Sequence, residues 1–321
     1  MNSIKVTDLI IDKSLAYDLI EIARTESAIY SKIKSSINNK AEQQEMHKNT
    51  LPILTDDNYF SPEMNRLYSG SSQIKAFIEC EARETAVLNG EWEKEESSEA
   101  MLQGSYIHAW SEGKLQEFIE QHPEIMASKG KNAGGLKASF QICDTVIDVL
   151  KNDDNLYSII RQCDKEIIFT GQIYGLPIKI KVDLLNKKKK YFADLKFMRN
   201  ISDNTWSDEF RRKVNFILAW RYDWQMAIYC EIIRQNLGEY FTPNIIAASK
   251  EEVPDKALIT FETEDENSLE NFVKSTLEEL EPYILRVKEL KEGKAEPIRC
   301  EKCDYCKSTK VITEPIFWMD L

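Results

Sequence analysis

From Ile178 to Phe197 the chain reads IKIKVDLLNKKKKYFADLKF, two runs of alternating apolar and polar residues separated by four lysines. Alternation at period two is the pattern of a half-buried strand and not of a helix. Ile178, Ile180 and Val182 fall on one face of the first run, and Lys179, Lys181 and Asp183 on the other. In the second run Tyr191, Ala193, Leu195 and Phe197 share a face, with Phe192, Asp194 and Lys196 opposite. A hairpin centred between Lys188 and Lys189 sets Asp183 against Asp194, with their Cβ atoms about 5 Å apart and Lys196 beside them on the same face. A slip of one residue would separate them. Two carboxylates this close repel unless a cation or a proton lies between them, and a hard divalent ion such as Mg²⁺ suits oxygen ligands of this kind. An ordinary surface hairpin with scattered charges accounts for an isolated D-x-K equally well.

The flanking sequence supplies helices. Residues 1–50 read as a separate helical arm and linker, with Leu15, Leu19, Ala23, Ile29 and Ile33 at a rough helical period. A loop over residues 51–68 precedes a helix expected from Ser69 to Leu88, capped by Ser71 or Ser72. A second helix is expected to open at Gly104 and to run to about Ile119, carrying His108, whose residue type fits a core histidine or a metal ligand. Residues 135–160 form an amphipathic stretch, and two strands are expected over residues 166–172 and 175–185. A long helix is expected from Phe210 to Leu237, with Gln225 and Tyr229 four apart on one face. Two strands, 244–248 and 257–261, and a helix over residues 264–290 with a kink at Pro282 complete the order.

The tail holds Cys300, Cys303 and Cys306 at a spacing that aims thiolates at one metal ion, with Cys80 as the candidate fourth ligand. Reduced, unliganded thiols on a flexible tail are the alternative. Seven cysteines without a secretion signal at the N-terminus point to a reducing, cytoplasmic compartment. No run of eighteen apolar residues is present, so no membrane partner is expected. The net charge of −12 argues against a protein coated in basic surface, although Lys179, Lys181, the 187–190 lysines and Arg211 to Lys213 could line one groove. The lysine run also fits a plain solvated turn.

Asp183 followed by Asp194-x-Lys196 on a central hairpin resembles the PD-(D/E)xK nuclease superfamily. Gly104 with His108 upstream, and Gln225 with Tyr229 downstream, resemble its RecB-type subset. The stretches LTDDNYFSPEMNRLYSGSSQIKAFIECEA, NGEW, GSYIHAWSEG and GLPIKIKVD with DLK resemble the phage and prophage exonucleases related to the RecE nuclease domain, over roughly residues 52–306. This resemblance implies a mixed α/β (α+β) fold of restriction-endonuclease type, a central mixed sheet flanked by helices, occupying residues 51–321 with the cysteine-rich tail at 300–306. It implies Mg²⁺ or Mn²⁺ held by Asp183, Asp194, His108 and the carbonyl of Leu195, with Lys196 positioning water or stabilising charge on phosphate. Gln225 and Tyr229 would hold the DNA end or orient the metal ligands, and Glu166 is an additional acid.

The implied activity is exonucleolytic digestion of linear double-stranded DNA from five-prime ends. It would yield single strands for recombination with a single-strand annealing (RecT-like) partner, and a homo-oligomeric ring is compatible. Cys80 with the three tail cysteines also resembles the iron–sulfur nucleases of AddB type, which implies a 4Fe-4S cluster and a repair nuclease. The closer spacing of the last cysteine pair leaves Zn²⁺ or no metal open. A non-catalytic DNA-binding or assembly module with a nuclease fold is the reading from a different class, and an intact acid pair with Lys196 argues against it.

Overall fold

The computed structural model describes residues 51–93, 98–129, 133–265, 267–315 and 317–320, and the expected N-terminal arm lies outside these. Residues Leu54 onward form one compact unit. Helices α1 (Pro62–Leu67), α2 (Ser71–Glu79), α3 (Glu81–Asn89), α4 (Glu99–Glu112), α5 (Leu115–Gln121), α6 (Ala138–Lys151) and α7 (Asp154–Gln162) precede the sheet. The strands β1 (Asp164–Ile173), β2 (Leu176–Asn186) and β3 (Tyr191–Met198) then meander, followed by a small hairpin of β4 (Thr205–Ser207) and β5 (Arg212–Val214). After α8 (Phe216–Ala219) and α9 (Tyr222–Leu237) come β6 (Thr242–Ser249), β7 (Lys256–Thr260), α10 (Ser268–Lys291) and α11 (Asp304–Ser308).

The main sheet has the order β1-β2-β3-β6-β7. Only β3 and β6 run parallel within it, because α9 supplies the crossover between them; the other neighbours are antiparallel. This is the mixed α/β architecture the sequence implied, with an apolar core on each face. Ile178, Ile180 and Val182 of β2 pack with Trp224, Ile228 and Ile232 of α9 and Val273, Leu280 and Ile284 of α10. Ala193 and Leu195 of β3 pack on the other face with Tyr106 and Ile107 of α4 and Phe140, Val146 and Ile147 of α6.

Four helical expectations are corrected. The helix expected from Ser69 to Leu88 breaks at Cys80, which is extended at φ −163°, ψ 104° and joins α2 to α3. The helix expected to open at Gly104 begins at Glu99, where the Ser98 hydroxyl accepts from Met101 N. It stops at Gly113, whose φ of 78° favours a residue without Cβ. The amphipathic stretch at 135–160 is two helices, separated by a cap at Asp153 that accepts from Leu156 N. Residues expected to start a helix at Phe210 instead form the β4–β5 hairpin, and α9 begins only at Tyr222.

The central hairpin keeps its expected register, with Leu184 paired to Ala193, Leu185 to Phe192 and Asn186 to Tyr191. The lysines of residues 187–190 form an exposed turn in which Asn186 Oδ1 accepts from Lys189 N at 2.9 Å. One more step of that register would pair Asp183 with Asp194, and there the ladder stops. Val182 has turned to the α9 face while Leu195 faces α4, so the strands part at the two acids. On its other side β2 pairs with β1 at Leu184–Lys165 and Val182–Ile167, and again Asp183 is passed over. Its neighbour across that gap, Glu166, has φ 53°, a left-handed backbone unusual for a side-chain-bearing residue. The one residue of β2 omitted by both ladders is thus a carboxylate.

Candidate active site

Because both ladders pass it by, Asp183 is free to turn its carboxylate on the gap between β2 and β3. There its Oδ2 accepts from Leu195 N at 2.8 Å. His108, on α4, brings Nδ1 to 3.6 Å from Asp183 Oδ2 and 3.9 Å from Glu166 Oε1. One ligand atom from each of His108, Glu166 and Asp183 lies within 4.8 Å of the others, a group able to hold a metal ion. The second oxygen of Glu166 is taken by Lys181 at 3.0 Å, and Lys181 also reaches Asp56 at 3.1 Å. The strained backbone of Glu166 therefore aims one carboxylate oxygen at the histidine and anchors the other.

Asp194 faces the same space from β3 but keeps different company. Gln225 Nε2 donates to its Oδ1 at 2.6 Å. Its Oδ2 is buried without a hydrogen bond and forms an ion pair with the Lys196 ammonium. Lys196 in turn lies over the ring of Tyr222, 4.7 Å from its centroid. Tyr229, one turn beyond Gln225 on α9, donates its hydroxyl to the carbonyl of Lys181 at 3.2 Å and so holds β2 rather than an acid. Leu195 meets Asp183 through its amide, and its side chain is buried against α4 and α6.

The electrostatics follow from crowding charge in a half-closed space. Burial pushes the Asp183 carboxyl well above the usual carboxylate range, opposed by His108 and reinforced by Asp194. Burial works against the charge of His108, yet the Asp183 and Glu166 carboxylates outweigh it and raise its pKa to about 9. Burial likewise disfavours charged Glu166, but the neighbouring His108 and Lys181 hold its carboxyl below the ordinary value. Lys196 stays an ammonium: burial lowers its pKa, and Asp194 and Asp183 more than compensate. Both acids, Glu166, His108, Lys196, Gln225 and Tyr229 line one pocket of about 720 Å³.

Tyr222 and Lys75 are among the pocket residues that escape a reading of the sequence alone. Tyr222 precedes Gln225 by three and Tyr229 by seven, so the helical face that picks out the later two also contains it. Lys75 enters from α2 and donates to the carbonyl of Trp220 at 3.0 Å, and nothing in its local sequence marks it. The expected basic groove is corrected. Lys179 and Lys181 line the pocket, whereas the lysine turn is tied to its surroundings, Lys187 to Asp164, Lys189 to Gln162 and Lys190 to Glu239. The pocket's cations are instead spread over α2, the residue before α5 and the strands, as Lys75, Lys114, Lys179, Lys181 and Lys196.

Away from the pocket, the break at Cys80 meets the chain's other end. Cys80, Cys300, Cys303 and Cys306 gather with their sulfurs within 4.8 Å of one another, and none of the four lines the pocket. No helix among the described residues is long and apolar enough to cross a membrane.

Comparison with known proteins bears on the pocket. A family model described as "PDDEXK-like domain of unknown function (DUF3799)" matches residues 70–309. The crystal structure of a "Putative exonuclease" from Eubacterium rectale is similar, with 35% sequence identity and a TM-score of 0.75, covering 84% of this chain and 98% of that one. The structure of SSO0001 aligns over 67% of this chain and 95% of that one at 14% identity, and its TM-score of 0.22 is too low to support any argument. No curated protein matches.

Proposed function

The chain belongs to the family of PDDEXK-like domains described as DUF3799, within the PD-(D/E)xK superfamily, and from that premise we propose that it is a metal-dependent deoxyribonuclease acting on the ends of linear duplex DNA. The observation that carries this reading is the convergence of Asp194, Lys196 and Gln225 with His108, Glu166 and Asp183 on one pocket. Two or three carboxylates suit Mg²⁺ or Mn²⁺, and a single imidazole among them favours the softer Mn²⁺. Asp183 and Glu166 would hold the ion with His108, and Asp194, whose Oδ2 makes no hydrogen bond, would join them by exchanging its contact with Lys196. Once bound, such an ion polarises a phosphoryl oxygen and acidifies a bound water.

The chain's own groups do the rest. Lys196 presents a fixed positive charge where negative charge builds on the phosphate, and the low-dielectric surroundings strengthen it. Gln225 fixes the rotation of the Asp194 carboxylate, and Tyr229 ties α9 to the strand that carries Asp183. A pocket of about 720 Å³ is the size of a small-ligand site, so it suits a strand end rather than a whole duplex. That favours exonucleolytic attack. Five-prime polarity, and delivery of the single strand to a RecT-like annealing protein in recombination, rest on the resemblance of the quoted segments to RecE-related exonucleases. A binding-only descendant has no need of a buried acid pair, its lysine and a glutamine that orients one of them.

Incubation with linear and with closed circular duplex DNA in Mg²⁺ or Mn²⁺ tests the reading. Linear DNA is expected to disappear and closed circles to survive. Linear DNA left intact with both metals would defeat the proposal, and cutting of closed circles would make the protein an endonuclease. End-labelled substrates give the polarity.

A further inference from the structure

The seven cysteines divide into two kinds. Cys143, Cys163 and Cys230 are buried singly, each against an oxygen: the Gln103 carbonyl at 4.0 Å, the Tyr191 hydroxyl at 3.6 Å and the Phe241 carbonyl at 3.6 Å. Such thiols are packing residues. The other four have one another. Cys80 Sγ lies 3.6 Å from Cys306 Sγ and 3.7 Å from Cys303 Sγ, and Cys300 Sγ lies 3.9 Å from Cys306 Sγ. No disulfide joins any of them.

We infer that Cys80, Cys300, Cys303 and Cys306 hold a single Zn²⁺ as a closed tetrahedral tetrathiolate, and not an iron–sulfur cluster. The distances decide between the two. With Zn–S bonds near 2.3 Å, the edges of a ZnS₄ tetrahedron are about 3.8 Å. The three separations of 3.6, 3.7 and 3.9 Å fit that tetrahedron. A cubane cluster places each thiolate on a different iron and spreads the sulfurs to roughly 6 Å. A two-iron cluster would divide the four into two separated pairs. All four sulfurs here lie within 4.8 Å of one another, so neither cluster has room.

Backbone geometry agrees with ligation by thiolates. Arg83 N donates to Cys80 Sγ at 3.4 Å and Cys303 N to Cys300 Sγ at 3.3 Å, contacts that favour a sulfur bearing negative charge. Within the Cys300–Cys303 turn Glu301 adopts φ 57°, a strain that persists only where the surroundings over-determine it. Four protein ligands leave no open position, so the ion has no catalytic step to perform. Its effect is a staple between residues 226 apart in sequence. Cys80 ends α2, and Gly70, Ser71, Ser72 and Lys75 at the other end of that helix line the pocket. The zinc site thereby fixes one wall of the active site, and this assignment stands whether or not the protein cleaves DNA.

The test uses the full chain purified without added metal, once in air and once anaerobically. Elemental analysis is expected to find about one zinc per chain with no iron or acid-labile sulfide, in a colourless protein. Iron with sulfide and a brown colour would overturn the assignment, as would metal-free protein in which all four thiols react freely with an alkylating agent. Exchange of the bound ion for Co²⁺ should give the intense visible bands and thiolate charge transfer of a tetrahedral sulfur site. A weak octahedral spectrum would exclude it. Cys306→Ser should lower zinc content at least tenfold while Cys163→Ser leaves it unchanged. Should the Cys306→Ser protein fail to fold, the cobalt spectrum of the unaltered chain decides between tetrahedral thiolate ligation and its absence.

Discussion

Gln225 Nε2 donates to Asp194 Oδ1 at 2.6 Å, joining the first turn of α9 to the middle of β3. The bond settles which carboxylate oxygen faces the helix and leaves Oδ2 to Lys196. An amide suits this position because its NH₂ can only donate to the acid, whereas a carboxylate would repel it. Gln225→Ala is expected to lower nuclease activity about 10–100-fold and to raise the metal concentration for half-maximal rate, as loss of a group orienting a ligand does. Gln225→Glu should be at least as damaging. A metal titration of the rate checks both, and an unchanged half-saturation in the alanine variant would remove the positioning role.

Lys196 is the cation that compensates Asp194. Its removal leaves a buried carboxylate without a compensating cation, at a cost of about 3–5 kcal/mol. Lys196→Ala is therefore expected to melt well below the wild type in chelator and to recover part of the loss in Mn²⁺, because the ion supplies the missing charge. Thermal melts of both proteins with and without Mn²⁺ measure this. An equal metal-induced shift in the two would mean that the ion does not engage Asp194. Activity should fall by at least 10²-fold even when the fold is restored, since the charge opposite the phosphate is gone.

The hairpin is legible in the sequence because alternation at period two is a local property, and its register holds residue for residue at Leu184–Ala193. The parting of the strands at Asp183 is not. It depends on the left-handed backbone of Glu166 and on two cores that claim Val182 and Leu195 for opposite faces, which no local pattern encodes. His108, Gln225 and Tyr229 stand out through a resemblance to known motifs, and their company in the pocket shows what spacing alone leaves open. The helix break at Cys80 is hidden because apolar periodicity continues across it; the cysteine itself is the better marker. The β4–β5 hairpin is hidden because its strands are three residues long, too short for any period to emerge.

Glu81 offers a pH test beside the four-cysteine cluster. Its carboxylate takes a two-pronged contact from Arg286 at 3.0 and 2.8 Å and accepts from Ile298 N at 2.8 Å, tying α3 to α10 and to the segment leading into Cys300. These bonds, Arg286 first, hold the Glu81 carboxyl below its usual 4.5. A carboxyl lowered in the folded state contributes stability that is present above the unfolded value and is lost as pH falls through the folded one. Glu81→Gln should thus cost about 1–2 kcal/mol at pH 7. The gap between variant and wild type should close as pH falls below the usual 4.5 and through the lowered value of the folded state. Urea melts across that range check the sign, and a gap that widened on acidification would contradict it.

Lys291, in the last turn of α10, joins that helix to the start of the pocket wall. Its Nζ contacts Asn65 O at 3.1 Å, Tyr68 O at 3.0 Å, Ser69 Oγ at 2.8 Å and Gln73 Oε1 at 3.1 Å. Ser69 is itself bonded through its backbone to Pro177 and Lys179 of β2, so the Lys291 side chain anchors α1, α2 and β2 together. Lys291→Met keeps most of the side-chain volume and deletes all these donors, leaving their part-buried acceptors without the Lys291 bond. The expected loss is about 2–4 kcal/mol. Urea denaturation should show a lower midpoint at an unchanged slope, the sign of altered stability without altered compactness. Lys291→Arg should not restore it, because a planar guanidinium cannot point its donors at an arrangement built around one nitrogen. Since Ser71, Ser72 and Lys75 follow directly on α2, the methionine variant should also bind DNA more weakly while hydrolysing bound substrate at a near-normal rate. A midpoint within experimental error of the wild type would show that the ammonium is not an anchor and that the wall is held by the cysteine site alone.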